Sequence, residues 1–236
     1  MPLRLFAILS LAAALLAGPL RADEKPLVVL ELFTSQGCSS CPPADAMIAE
    51  LAGRDDVLAL ALHVDYWDYI GWADSFARPQ NTKRQKAYAR MAHSGSIYTP
   101  QIVVAGVDHV IGFKPMQVAE LLSTHGDEMP PVEISVEQAG EGLRIRCAAR
   151  AGAALPHTIN VDLVGYIREA SVDIAHGENE GKTITYANIV QSWDRLGTWN
   201  GSGSFEFEAT LPEGGHYAVI VQAAGPGRVL AALRLP

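Results

Sequence analysis

Gly37-Cys38-Ser39-Ser40-Cys41-Pro42-Pro43 is the stretch on which the reading of this chain turns. It follows a continuous apolar run, Leu27 to Phe33, broken only by Glu31, which reads as a buried central strand. Beyond it, Pro43 to Leu51 reads as a helix with Met47, Ile48 and Leu51 on one face and Gly53 as its stop. A C-x-x-C pair at the mouth of a helix has a physical use. Unpaired backbone N–H groups and the helix dipole favour a thiolate on the first cysteine, and such settings bring a thiol from about 8.5 down to roughly 3.5–7.5. The second cysteine, one turn on, can resolve a mixed disulfide. No Lys, Arg or His lies between Lys25 and Arg54, so the helix supplies this effect, with the Ser39 or Ser40 hydroxyl as its local aid. A passive structural disulfide uses the same residues, and so does half of a zinc site, although no second cysteine pair follows.

Outward from this stretch, strands and helices alternate as far as residue 129. Val57 to Val64 is a second buried strand, and a polar and aromatic segment leads to a helix from Pro79 to about Ala92. Ile102 to Ala105 and His109 to Gly112 form a hairpin, and Lys114 to Thr124 is an amphipathic helix. This β-α-β-α-β-β-α order is an α/β layer arrangement. After Met129-Pro130-Pro131 the period becomes two. Val132, Ile134 and Val136 alternate with charged or polar residues, as do Leu143, Ile145, Cys147 and Ala149, and Phe205, Phe207, Ala209 and Leu211. With strands around Thr158 to Ile167, Tyr217 to Gln222 and Arg228 to Leu235, the pattern predicts a second, all-β antiparallel sandwich-like domain over 130–236.

Tyr98-Thr99-Pro100 immediately precedes the third strand. The combination of strand, C-x-x-C, helix, strand, helix, Thr-Pro, hairpin and helix, over about Leu27 to Gly126, resembles the thioredoxin-like superfamily. More narrowly, Phe33-Thr34-Ser35-Gln36-Gly37-Cys38-Ser39-Ser40-Cys41-Pro42-Pro43-Ala44-Asp45, with His63-Val64-Asp65-Tyr66-Trp67-Asp68 downstream, resembles a bacterial family of exported thioredoxin-like proteins of uncharacterised function. The resemblance implies a thioredoxin-like domain over 23–129, with Cys38 attacking and Cys41 resolving. It also implies that Pro100 is the cis-proline facing the pair and that Thr99 and Tyr98 lie along an extended substrate. Trp67 is a further substrate-binding candidate, and with Asp65, Tyr66 and Asp68 it reads either as a rim beside the cysteines or as a packed loop. Two departures stand out: Gly37 occupies the place of thioredoxin's tryptophan, and Leu32 that of its buried aspartate. The proton acceptor is therefore unassigned, and Glu31 and His63 are its candidates. Each also has a plain structural reading, as a satisfied carboxylate and a bracing histidine.

The composition suits this picture. The chain has 236 residues, 49% of them apolar and 19% charged, with a net charge of −8. A basic footprint for nucleic acid is missing. Residues 1–22 read as a signal peptide: Arg4, an apolar run from Leu5 to Ala17, the breakers Gly18 and Pro19, then Leu20-Arg21-Ala22. The run is short of the roughly 20 residues of a membrane span; an uncleaved anchor is the alternative reading, and no span is expected after removal of the segment. Export to the periplasm or the exterior makes a Cys38–Cys41 disulfide the expected state. Cys147 is left over as a buried thiol, by alternation with Leu143 and Ile145. The polar segment His176 to Lys182 reads as a solvated loop tip or a flap over the cysteines.

The resulting expectation is an exported thiol–disulfide oxidoreductase acting on protein or small-molecule thiols. It needs no cofactor and no metal, and its redox recycling partner is unknown. Two alternatives stay open. One is a Cu(I)- or Zn-handling module using Cys38, Cys41 and His63; the other is a non-catalytic interaction protein with a permanent disulfide clip.

Overall fold

The computed structural model describes residues 26–236; the expected signal peptide at 1–22 lies outside them. Among the described residues three α-helices, one short 3-10 helix (Asp68–Ile70, between β2 and α2) and eleven strands follow in the order β1 (Val28–Thr34), α1 (Pro42–Leu51), β2 (Val57–His63), α2 (Pro79–Met91), β3 (Gln101–Val104), β4 (Asp108–Ile111), α3 (Pro115–Gly126), β5 (Val132–Ala139), β6 (Gly142–Ala149), β7 (Ile159–Asp173), β8 (Thr183–Trp199), β9 (Ser204–Ala209), β10 (His216–Ala223) and β11 (Val229–Arg234).

The strands form an eight-stranded mixed sheet, ordered β11-β10-β7-β8-β2-β1-β3-β4, and a three-stranded sheet, β5-β6-β9. β1 and β2 pair in parallel with Thr34 opposite His63, while β3 runs antiparallel to β1 with Gln101 opposite Phe33. The start of β3 therefore lies at the same sheet end as the cysteine loop.

Strand parity sets the layers, because alternate side chains point to opposite faces. From β1 and β2, Val28, Leu30, Leu32, Val57, Ala59 and Ala61 face α1 and α3 and pack with Ala44, Met47, Ile48, Val118 and Leu122. On the other face Val29, Phe33, Leu58, Leu60 and Leu62 pack with Tyr88 of α2 and with Val164, Val190 and Ile220. The small sheet buries Val132, Ile145 and Cys147 against Val161, Val219, Val221 and Leu230 of the large one.

The expected boundary at residue 130 is corrected here. It marks where alternation begins, but the sheet does not end there. β7, β8, β10 and β11 extend the sheet that β1 to β4 begin, so the second half forms no separate sandwich. Several contacts hold the join. Asn188, at φ 47°, donates its amide to the Ala59 carbonyl at 2.8 Å. Gly106, at φ +74°, lies so close to the Gly227 carbonyl that a Cβ would stand 2.2 Å from its oxygen, and Val229 N–H bonds to Ala105 O beside it at 2.9 Å.

A buried charge cluster spans the same join. Glu31, wholly buried, accepts from Arg84 Nε at 2.5 Å, Arg84 Nη2 at 2.8 Å and Tyr88 O–H at 2.5 Å. Arg84 also donates to Gln222 of β10 at 3.0 Å and lies over the Trp193 ring of β8 at 3.6 Å. A buried ion pair persists only when its remaining hydrogen-bonding sites are filled. Here they are filled from both halves of the chain.

Candidate active site

Cys38 and Cys41 form a disulfide with Cα atoms 5.4 Å apart, and Cys41 is the N-cap of α1. Local chain geometry puts them there. Cys38 N–H bonds to Ser35 O, Cys41 N–H to Cys38 O, and Ala44 N–H and Asp45 N–H to Cys41 O, so a tight turn runs straight into the helix. Pro42 enters the first turn, where its missing N–H costs nothing.

Although an attacking cysteine needs access, only 1% of the Cys38 surface is exposed, and Cys41 is fully buried. The cover is the loop between β7 and β8. Asn179, 1% exposed, donates its side-chain amide to Gln36 O at 2.8 Å and to Cys38 O at 3.0 Å. Glu178 accepts from Ser39 N–H at 3.3 Å, and Lys182 holds the Asn179 carbonyl at 2.8 Å. The His176 to Lys182 segment is thus a flap on the cysteine loop. Ser39 and Ser40 stay exposed, and the Ser40 hydroxyl lies 3.4 Å from Cys38 Sγ.

Thr99-Pro100 is cis, with Pro100 buried and Thr99 half-buried. Trp67 ties this loop to the cysteines. Its indole N–H donates to Thr99 Oγ1 at 2.7 Å, and its Cβ lies 3.4 Å from where a Gly37 Cβ would stand. Ile70 Cδ1 is closer still at 3.2 Å, so glycine at 37 lets the aromatic segment close on the cysteine turn. Tyr98 serves through its carbonyl, which accepts from Gln85 at 2.7 Å. Tyr69, 81% exposed, stacks on Trp67 at 6.5 Å and widens the rim.

The two proton-acceptor candidates separate. Glu31 shares strand parity with Val29 and Phe33, so it points to the α2 face, away from α1, and Arg84 and Tyr88 occupy both its oxygens. It is corrected to a structural carboxylate. His63, opposite Thr34, shares parity with Ala59 and Ala61 and points to the α1 face. Its Nδ1 bonds to Asp74 Oδ2 at 2.7 Å, and that oxygen also accepts Gln36 N–H at 2.8 Å. Because the carboxylate can only accept, it is the Nδ1–H that donates in this bond.

Three side chains of this pocket were not foreseen. Asp45, one turn after Cys41 and 3% exposed, accepts the Thr34 hydroxyl at 2.8 Å through Oδ1. Burial pushes its carboxyl up to about 7, against the opposing pull of His63 and the Thr34 bond; Asp74 adds to the rise. Tyr186 of β8 stands edge-on to His63 at 4.8 Å, and burial pushes its phenol well above its ordinary value. Asp45 Oδ2, His63 Nε2 and the Tyr186 hydroxyl are all buried without a hydrogen-bond partner among the described residues. Asp45 was detectable as a carboxylate in the apolar i, i+3, i+4, i+7 stripe Cys41, Ala44, Asp45, Ile48. Asp74 and Tyr186 arrive from distant segments and carry no local signal.

Cys147 is free and fully buried, its thiol pushed up to about 12 by burial. Among the described residues no group of three or more His, Cys, Asp or Glu side chains is placed to hold a metal ion, and no helix is long and apolar enough to cross a membrane.

Comparison with solved structures finds an X-ray crystal structure of a protein from Agrobacterium tumefaciens, 33% identical, covering 88% of this chain and 93% of that one, with a TM-score of 0.73. A DUF3823 family protein from Bacteroides ovatus, 14% identical over 44% of this chain and 51% of its own, has a TM-score of 0.26, which carries no structural argument. No curated protein matches the chain. Residues 29–222 match the family described as Protein of unknown function (DUF1223), and the chain belongs to that family.

Proposed function

We propose that this protein is an exported thiol–disulfide oxidoreductase, thioredoxin-like in its first half, that exchanges the Cys38–Cys41 disulfide with protein or small-molecule thiols. One observation carries the reading: the pair sits at the N-terminus of α1, and Trp67 links its loop to the Thr99–Pro100 turn. A helix N-terminus stabilises the thiolate that exchange requires. The β1-α1-β2-α2-β3-β4-α3 order supports the thioredoxin-like assignment. Export is consistent with a disulfide, which oxidising compartments preserve.

In exchange, a thiolate attacks a disulfide sulfur and a mixed disulfide forms. Cys38 is the partner for incoming groups, since its Sγ lies 3.4 Å from the exposed Ser40 hydroxyl whereas Cys41 caps the helix. A permanent clip is the second reading, favoured by the 1% exposure of Cys38 under the Asn179 flap. Substituting Cys41→Ala separates them. Exchange predicts mixed disulfides trapped through Cys38 in the exported compartment, whereas a clip leaves none.

A further inference from the structure

Among the described residues, three buried polar atoms of neighbouring side chains have no hydrogen-bond partner: Asp45 Oδ2, His63 Nε2 and the Tyr186 hydroxyl. Unpaired buried polar groups are costly, and here they belong to side chains that interact with one another four residues beyond the resolving cysteine. We propose that Asp45 is the proton acceptor of Cys41, held in place by Thr34 and backed by the His63–Asp74 pair. This inference rests on the oxidoreductase reading and assigns the site's missing base.

The placement follows from the helix and the sheet. Cys41 and Asp45 are i and i+4 on α1, so their side chains lie one above the other on the sheet-facing stripe. Thr34 from β1 and His63 from β2, neighbours in register, point at the same stripe. Each element packed against Asp45 contributes a polar or titratable group: Thr34 from β1, His63 from β2, Asp74 from the segment before α2, and Tyr186 from β8. The backbone amide of Asp45 is bound to Cys41 O, which locks the turn between them. A carboxyl that titrates close to neutrality both accepts and returns a proton efficiently there.

The step balances as follows. Cys38 thiolate attacks one sulfur of a substrate disulfide; that S–S bond breaks and the first substrate thiolate leaves. Cys41 gives its proton to Asp45, and the resulting thiolate attacks Cys38 Sγ. The mixed disulfide breaks, the second substrate thiolate leaves, and the protein's pair is oxidised as the substrate's two sulfurs are reduced. The proton on Asp45 then passes to the departing thiolate or to solvent. In the reverse direction protonated Asp45 supplies the proton to the leaving Cys41 thiolate.

The test uses the reduced full chain and the chromogenic disulfide 5,5′-dithiobis(2-nitrobenzoate). It releases one coloured thiolate on attack by Cys38 and a second on resolution by Cys41. Asp45→Asn should leave the first phase within about twofold of the wild type. It should slow the second by about a hundredfold near neutral pH, the lower end of a positioned base's effect, and move its pH profile up towards that of an unassisted thiol. Thr34→Val, which removes the hydrogen bond to Asp45 Oδ1 while sparing both carboxylate oxygens, should shift the second-phase profile upward without changing the first phase. This variant decides the matter should Asp45→Asn not fold. An unchanged second phase overturns the inference alone. A wild type with no first phase overturns the oxidoreductase reading and the inference with it.

Discussion

Replacing Asp45 by Asn should make the oxidised protein gain stability relative to the wild type as pH rises. The carboxyl titrates at about 7 in the folded chain against an ordinary 3.8, mainly because of burial. Between those values the folded state keeps a proton that the unfolded state has lost. Stability therefore falls with rising pH across that window and levels off above it. At about 1.36 kcal/mol for each pH unit, the full effect is on the order of 4 kcal/mol. Asn keeps an oxygen for the Thr34 hydroxyl but never ionises, so its curve lacks this decline. Its amide also places two donors where Asp45 Oδ2 has no partner among the described residues, a cost of roughly 1–3 kcal/mol at every pH. The diagnostic quantity is thus the pH dependence of the difference, not its value at one pH. Urea unfolding of both proteins with the disulfide intact, at steps from pH 4 to pH 8, measures it. The variant should gain several kcal/mol on the wild type between those limits. Parallel stability curves would refute a buried carboxyl that holds its proton to neutrality.

Other consequences follow from the same geometry. Asn179→Ala removes two flap hydrogen bonds, each worth about 0.5–1.5 kcal/mol. Alkylation of Cys38 in the reduced protein through the opened flap should accelerate by roughly 5- to 150-fold; an unchanged rate would show that Asn179 does not hold the cover. Glu31→Gln strands the Arg84 guanidinium in the core and should cost about 3–5 kcal/mol in denaturant unfolding. It should leave the pH profile of Cys41 resolution where it was, and a shifted profile would restore Glu31 as a proton acceptor. Gly106→Ala drives a methyl into the Gly227 carbonyl from a positive-φ backbone. Its melting temperature should fall by several degrees with a single transition, because the sheet is continuous; two separate transitions would contradict one continuous body.

The first half was legible because its strands β1, β2 and β3 are short and uniformly buried, so the apolar runs at Val28–Thr34 and Val57–His63 stand out. The cysteines, Pro100, Thr99 and Trp67 were legible as motif residues and lie together. β8 was not, and the reason is physical. Its pairing with β7 shifts register at Val161/Asp162 and at Gly165/Tyr166, so Leu196 and Gln191 are passed over. Each shift breaks the two-residue period, and Trp199 and Leu196 reach the same core although three residues apart. With β8 unseen, its link to β2 through Ala61 and Ile189 was unseen as well, and the two halves read as separate domains. Glu31 shows a subtler limit. A carboxylate in an apolar strand signals a special environment, but only strand parity reveals that it faces α2 and not the cysteines. Asn179 and Asp74 act through tertiary approach from loops, where no periodicity exists to betray them.

The reduction potential of the Cys38–Cys41 pair tests redox function most directly. The full chain, equilibrated in graded glutathione or dithiothreitol buffers and quenched by alkylation, gives the midpoint. An exchanging pair should be half-reduced between about −120 and −270 mV, the range spanned by working dithiol pairs. A midpoint below about −300 mV, where structural disulfides resist the glutathione pool, would contradict the oxidoreductase function and leave the pair a permanent clip.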